Sequence, residues 1–411
     1  MLSIYLHIPF CLVRCAYCDF NTYAGLDDLM PAYAGALARE VRLAGSRSGG
    51  AVEQGGGGAA HTVFFGGGTP SLMPLPLLSE IFVALRDSFN LTPDCEITLE
   101  ANPGTVDLPY LQGLRALGVN RLSFGVQSAQ PSELQLLDRL HSFEQVIEAV
   151  RLARSADFGN LNLDLIYGLP HQSLAMWQDT LARTLQLESD HLSLYALSLE
   201  HGTPMRSWVY RGLLPMPDPD LAADMYEWAS ETLRAAGFVQ YEISNWSRKE
   251  VGGRKSEGED SSYLRPRAFD FQCRHNLQYW LNLPYLGFGA GAHGYAGGFR
   301  YSNVLSPRVY VERLEGSSVT PQFPFSPALR ESHPVDRDSE MGETMMMGMR
   351  LIAVGVRERA FQERFGIGLG DRYGKELREL KELKLVEWDD EGARLTEKAR
   401  LVANRVFMEF V

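Results

Sequence analysis

The chain has 411 residues, room for one large domain and a small one, and 45% of them are apolar, an ordinary share for a packed core. The formal net charge of −12 argues against nucleic acid as the main partner, because phosphate contacts need a basic surface. No apolar run approaches the roughly 20 residues that a membrane span requires.

Met1 leads directly into a strand, with no basic segment and apolar core of a signal peptide, so no leader is expected. In that strand Ile4, Leu6 and Ile8 share one face and Tyr5 and His7 the other. Cys11, Cys15 and Cys18 follow in a C-x₃-C-x₂-C loop that leaves the strand's C-terminal end. Three readings compete for this loop. Three core cysteines fit badly, since Arg14 and Tyr17 are poor neighbours for a dry core. A Cys₃His zinc site would use His7, which lies awkwardly on the strand for closing a tetrahedron. A [4Fe–4S] cluster normally takes four protein thiolates; three would leave one iron open. With only two further cysteines, the chain fits a reducing cytosol better than a disulfide framework.

Pro31 opens a helix carrying Tyr33, Leu37, Val41 and Ala44 at helical spacing. Ser46 to Ala60 reads as a glycine-rich, mobile connector. The strand His61–Phe65 ends in Gly66-Gly67-Gly68-Thr69-Pro70, where a ligand can approach the backbone closely. Helices near Leu75–Phe89, Leu108–Leu117, Phe143–Arg154 and Trp177–Leu187 then alternate with strands Glu96–Glu100, Arg121–Gln127, Asn160–Ile166 and His191–Tyr195. Repeated βα units imply a parallel sheet. Parallel sheets are buried on both faces, yet all six strands carry a polar face. A curved sheet closing on a polar cavity resolves this, with Glu100, Gln127, Asp164 and the cysteine loop at its C-terminal mouth.

Beyond Tyr195 the pattern changes. Pro215 to Pro219 breaks the chain, Leu221 to Ala236 is an amphipathic helix, and Phe238 to Asn245 reads as one strand. Lys249 to Arg267 reads as a mobile charged loop. In Cys273-Arg274-His275-Asn276-Leu277-Gln278-Tyr279-Trp280, a histidine precedes two aromatic residues by four and five positions. From the residues alone this is either a structural histidine with core aromatics, the simpler reading, or an iron ligand beside flat apolar surface. Gly287 to Gly294 is another close-approach backbone, and Ser317 to Ser339 reads as a linker. Glu343 to Phe365 is expected to be helical, its methionines belonging to a core. A further helix, a short hairpin and a final helix to Val411 would complete a winged-helix-like accessory domain, not basic enough to bind DNA.

The cysteine spacing resembles the radical S-adenosylmethionine (SAM) superfamily, whose open iron binds SAM and whose reduction releases a 5′-deoxyadenosyl radical. Taken with Tyr5-Leu6-His7-Ile8-Pro9-Phe10, Phe65 to Pro70, Glu100-Ala101-Asn102-Pro103, Ser123 to Ser128, Asp164 to Pro170 and His275 to Trp280, the whole chain resembles the oxygen-independent coproporphyrinogen III oxidase family. That resemblance implies a partial (β/α)₆ barrel over 1–245, an extension over 246–316, a linker at 317–339 and an accessory domain at 340–411. It implies Cys11, Cys15 and Cys18 as cluster ligands. Tyr5, Gly67 and Glu100 would lie around the cluster's SAM, and Tyr17, Gly68, Thr69, Gln127, Arg139 and Asp164 around a second one. Oxidases of the family carry a further cysteine where Phe20 stands, and an N-terminal extension. Both differences point to the haem-chaperone branch, with His275 as haem ligand beside Tyr279 and Trp280. The implied partners are haem, haem-acceptor proteins and an electron donor. The alternatives are oxidative decarboxylation of coproporphyrinogen III and a zinc-stabilised binding protein.

Overall fold

A computed structural model describes residues 2–51, 59–249, 271–316 and 321–411. The expected mobile loop at 249–267 lies almost wholly outside them. The described chain divides into two units, Met1–Tyr226 with Pro284–Pro334, and Glu227–Leu283 with Val335–Val411. In the first, β1 (Leu2–Ile8), α1 (Met30–Ala51), β2 (Ala60–Gly67), α2 (Leu75–Ser88), β3 (Leu91–Ala101), α3 (Leu108–Leu117), β4 (Arg121–Gln127), α4 (Phe143–Ser155), β5 (Leu161–Tyr167), α5 (Leu174–Leu185) and β6 (His191–Ala196) alternate as expected. The strands lie in sequence order and pair in parallel, the architecture of a partial (β/α)₆ barrel. On the outer side of β1 the sheet continues through Tyr285–Phe288, His293–Ala296, Phe299–Asn303 and Leu329–Pro334.

The sequence accounts for these elements locally. Asp107 and Ser173 accept hydrogen bonds from Tyr110 N and Met176 N, capping α3 and α5, and Ser142 and Gln145 form a capping box on α4. Gly118 stops α3 in a left-handed conformation, φ +104°. One strand face is apolar and meets the helices: Leu6, Phe65, Leu99, Leu122, Phe124 and Leu163 are fully buried. Phe65 stacks on Phe82 of α2 at 5.0 Å, an arrangement worth about 0.5–1.5 kcal/mol beyond its buried area. The opposite face is polar and also buried, with Ser3, Thr62, Thr98, Ser123, Asn162 and Ser193 all at most 5% exposed. The polar face therefore lines an interior, not a solvated surface.

Several expectations are corrected. α1 continues to Ala51, six residues into the supposed connector, of which 52–58 lie outside the described residues. Phe238 to Asn245 is not one strand: Phe238–Glu242 pairs antiparallel with Asn245–Arg248. In the presumed linker, Leu329–Pro334 is an edge strand against Phe299–Asn303, and Arg337–Gly348 is a helix capped by Asp336. The long helix expected over Glu343–Phe365 is two helices, Arg337–Gly348 and Glu358–Phe365. Between them Gly355 has φ +60°, and Val356–Arg357 joins a three-stranded sheet with Gly392–Leu395 and Val386–Asp389. A side chain at Gly355 would sit 2.0 Å from Ala393 O. The final helix is short, Ala403–Phe407. Met345 and Met349 are fully buried in the core of this second unit, with Phe361, Leu369 and Leu377. The strands and helices of 335–411 form the expected small α+β accessory fold.

Candidate functional site

The cysteine loop is pinched at its base. Phe10–Cys11 pairs with Tyr23–Ala24, and Tyr23 N donates to Pro9 O at 2.7 Å. Cys11 is 9% exposed, while Cys15 and Cys18 are half-buried. The glycine turn after β2 lies against the loop: Gly68 N donates to Ile8 O and Thr69 N to Phe10 O, both at 2.8 Å. Thr69 Oγ1 approaches Cys11 Sγ at 3.7 Å. Arg139 Nη1 reaches Cys15 Sγ at 3.7 Å from the other side, its Nη2 held by Gly125 O at 2.6 Å. A Cβ on Gly68 would lie 2.6 Å from Phe10 O and 3.0 Å from Cys11 Sγ, so only glycine lets these two segments meet.

This donor set fits an iron–sulfur cluster better than a single ion. Among the described residues no three His, Cys, Asp or Glu side chains are close enough together to hold one metal ion. The three thiols nevertheless lie within one another's electrostatic field. Burial pushes Cys11 and Cys18 up, and neighbouring thiolates push both further. Cationic iron would reverse that penalty, with loss of the thiol protons. His7 is not available to zinc: its Nδ1 pairs with Tyr5 OH at 3.0 Å and its Nε2 with Asn21 O at 2.9 Å. Burial also lowers its pKa, keeping the ring neutral.

Two acidic residues stand at the same mouth. Glu100 Oε2 accepts from Gly67 N at 3.1 Å. Burial, with Asp164 nearby, pushes its pKa up to about 8. A Cβ on Gly66 would meet Tyr5 at 3.0 Å and Glu100 at 3.2 Å, so Tyr5, Gly67 and Glu100 form one group. Asp164 is raised too, chiefly by burial, but Asn162 and Ser123 donate to it at 2.8 and 2.9 Å and hold it down. Tyr17 lies in the field of Arg139, Cys15 and Asp164, and burial raises its hydroxyl well out of the titrating range. Gln127 sits at φ +67°, beyond a register shift in β4, a strained conformation of the kind that clusters at functional sites. A Cβ on Gly125 would lie 2.9 Å from its Nε2 and 3.1 Å from Arg139 Nη2. All twelve residues expected around the cluster and SAM thus belong to one unit, and Gly67, Glu100 and Gln127 among them lie at the C-terminal ends of its strands.

His275, Tyr279 and Trp280 belong to the second unit, on the helix Arg274–Trp280. His275 is 1% exposed, its Nε2 pairs with Tyr279 OH at 2.9 Å, and the two rings meet edge-on. Arg350 lies over the Trp280 ring at 4.3 Å. Cys273 is also buried.

Residues 5–184 match the model of the radical SAM superfamily, and residues 335–402 that of the HemN C-terminal domain. The heme chaperone HemW of Bacillus subtilis is 33% identical over all of this chain and 99% of its own length. That of Mycobacterium tuberculosis is 38% identical, over 91% of this chain and 90% of the relative. The chain belongs to the HemW family of the radical SAM superfamily. The bovine mitochondrial radical S-adenosyl methionine domain-containing protein 1 is 34% identical over the whole chain and 87% of that relative. Among solved structures, coproporphyrinogen III oxidase (HemN) from Escherichia coli superposes with a TM-score of 0.77, covering 100% of this chain and 89% of that one. At 24% identity it shows the shared fold. Membership of the superfamily implies SAM and a [4Fe–4S] cluster. Among the described residues, no helix is long and apolar enough to cross a membrane.

Sequence reasoning missed two buried groups in this family's barrel unit. Glu40 of α1 is 1% exposed and accepts from Gly289 N, Asn303 Nδ2, Tyr310 OH and Ser326 Oγ at 2.5–2.9 Å. It holds the Gly287–Gly294 strap beside β1, where a Cβ on Gly289 would lie 2.5 Å from His7 O and one on Gly291 2.4 Å from Asn21 Nδ2. The signal was present: Glu40 falls three residues after Leu37, inside the apolar stripe of the helix. The second group is Arg121 with the polar layer beneath Asp164, whose signal was the first residue of a strand's polar face.

Proposed function

We propose that this chain is a cytoplasmic haem chaperone, binding haem and delivering it to haem-dependent proteins from a radical SAM barrel. The observation that carries this reading is the end-to-end match to relatives named heme chaperone HemW. Phe20 supports it, standing exposed where oxidases of the resembled family carry a cysteine. The five free cysteines suit a reducing compartment. The likeness to the E. coli oxidase speaks for the fold and not for decarboxylation of coproporphyrinogen III.

In this reading Cys11, Cys15 and Cys18 hold three irons of a [4Fe–4S] cluster and leave the fourth for SAM. When bound, cluster and SAM supply one-electron radical chemistry, the cluster's electron arriving from a donor protein. The chain's own part is to bind and orient. Tyr5, Gly67 and Glu100 border the cluster-bound SAM, with the Gly67 backbone free for close approach and Glu100 able to take an ammonium or ribose hydroxyls. Tyr17, Gly68, Thr69, Gln127, Arg139 and Asp164 border a second SAM, with Arg139 suited to a carboxylate. His275 is the proposed haem ligand, beside Tyr279 and Trp280, neutral imidazole being a common axial ligand. Ligation through Nε2 requires the His275–Tyr279 bond to open.

Haem titration of wild type, His275→Ala and Tyr279→Phe tests this. His275→Ala is expected to lose the wild-type spectrum and affinity, and Tyr279→Phe to bind at least as tightly as wild type. Equal spectra and affinity for His275→Ala would remove it as ligand. Turnover of coproporphyrinogen III with SAM and reductant would overturn the chaperone reading itself.

A further inference from the structure

We propose that Arg364 is a positioning residue for haem: from the accessory fold it clamps the C-terminal end of the short helix that carries His275, Tyr279 and Trp280. The HemN C-terminal domain then serves as the scaffold of the haem site. The inference rests on the reading of His275 as haem ligand given above.

The helix Arg274–Trp280 has seven residues, about two turns. Isolated helices shorter than about 12–15 residues are marginal in water, so this one depends on its ends and its packing. Cys273 gives its N-terminus no side-chain cap. The C-terminus is closed twice. Asn282 stands at φ +49°, its N–H donates to Tyr279 O at 2.9 Å, and Leu283 N donates to Gln278 O at 3.1 Å. That is a Schellman turn with asparagine in the left-handed position. It uses the carbonyls of Gln278 and Tyr279 but not those of Leu281 and Asn282. Arg364, on the helix Glu358–Phe365, takes both of these: Nη1 donates to Leu281 O at 3.2 Å and Nη2 to Asn282 O at 2.8 Å. A guanidinium at this end also meets the negative pole of the helix.

Glu340, on the helix Arg337–Gly348, fixes the clamp. Its Oε1 accepts from Arg364 Nε at 3.1 Å and from Nη2 at 2.5 Å, so the cation is neutralised where it works. Asn282 Nδ2 donates to Thr344 Oγ1 at 3.1 Å, and Thr344 Oγ1 donates to Glu340 O at 2.7 Å. The same unit grips the helix again nearby: Arg350 lies over the Trp280 ring at 4.3 Å, and Leu351 packs with Leu277 and Tyr241. The last turn is therefore held from outside the helix, and it carries Tyr279 and Trp280. Tyr279 OH in turn pairs with His275 Nε2 at 2.9 Å. Loss of the clamp frays this turn first and displaces both aromatic rings from beside the histidine. Tyr279→Phe is different, since it removes a competing hydroxyl and keeps the ring in place.

The test is titration of the reconstituted full chain with ferric haem, read by Soret absorption, for wild type, Arg364→Met, Arg364→Lys, His275→Ala and the double variant of Arg364→Met with His275→Ala. Arg364→Met should lose about tenfold in affinity, the order of one charge-assisted hydrogen bond, and shift its Soret band toward that of His275→Ala. Arg364→Lys keeps the cation against Glu340 but not the two-pronged geometry, and should fall between. In the His275→Ala background, Arg364→Met should change affinity by less than about twofold, because the clamp acts through the ligand. Iron loading should be unchanged, since the cysteines belong to the other unit. Should Arg364→Met not fold, Arg364→Lys replaces it in the same cycle. Wild-type affinity and spectrum for Arg364→Met overturn the proposal while leaving His275 as ligand. So does an equal loss with and without His275, or a parallel loss of iron. Haem binding by His275→Ala with wild-type affinity and spectrum overturns the ligand reading and the proposal with it.

Discussion

Replacing Gly68 by alanine tests whether the glycine turn and the cysteine loop are one structure. The new Cβ would lie 2.6 Å from Phe10 O, 3.0 Å from Pro9 C and 3.0 Å from Cys11 Sγ. Two of these are backbone atoms, so no rotamer change relieves them. The turn must withdraw, and the Gly68 N–Ile8 O and Thr69 N–Phe10 O bonds stretch with it. Overpacking of this kind costs about 1–3 kcal/mol, and each of the two weakened hydrogen bonds about 0.5–1.5 kcal/mol, giving a total of roughly 2–6 kcal/mol. The cost falls on the geometry around Cys11, so cluster assembly should suffer more than the fold. The assay is iron and sulfide per chain after anaerobic reconstitution, with melting of the apoprotein alongside. Gly68→Ala should load less than half the wild-type iron and melt a few degrees lower. Gly159→Ala, where a Cβ meets nothing within 4 Å, should match wild type in both. Full iron loading by Gly68→Ala would refute the reasoning.

Other expectations follow from buried acids. Glu100 is held at about 8 in the folded chain, against 4.5 for an ordinary glutamate. It is therefore protonated when folded and ionised when unfolded between those values. Its contribution to apoprotein stability is complete below about pH 4.5 and declines as pH rises toward 8. Thermal melts from pH 5 to 8 should show a smaller decline for Glu100→Gln than for wild type; parallel curves would contradict the assignment. Glu40→Ala leaves the donors of Gly289, Asn303, Tyr310 and Ser326 without their acceptor. It should destabilise by about 3 kcal/mol or more in denaturant unfolding and reduce iron loading, because the strap it anchors abuts His7 and Asn21. Phe124→Ala, in the fully buried helix-side core, should cost about 3–5 kcal/mol while leaving the isolated cluster spectrum unchanged.

The barrel was legible because two periodicities coincide in it. Leu122, Phe124 and Val126 against Arg121, Ser123 and Gln127 show a two-residue repeat with both sets buried, and only a polar interior explains that. Site residues at strand ends, such as Glu100 and Asp164, inherit their place from the strands. Arg139 was not legible from pattern, because a short helix at Pro131–Leu136 carries the chain back before it reaches Cys15. Segment boundaries failed where tertiary partners decide. Leu329–Pro334 is a strand because an open sheet edge accepts it, and its sequence, Leu-Arg-Glu-Ser-His-Pro, carries little strand signal. The long helix over Glu343–Phe365 was broken by Gly355 and by the pairing of Val356 with Ala393, contacts no local periodicity can show. For His275 the residues alone favoured a structural histidine, and it is buried with its Nε2 paired to Tyr279, its own neighbour one helical turn on; its role as a haem ligand came only from the resemblance.

The central claim is that the chain supplies three cysteines and SAM completes the fourth iron. The most direct measurement is electron paramagnetic resonance of the reduced, reconstituted protein with and without SAM. The reduced protein should give a [4Fe–4S] signal that changes on adding SAM and is lost when Cys11, Cys15 or Cys18 is replaced by alanine. A signal indifferent to SAM, or one that survives loss of any of those cysteines, would contradict it.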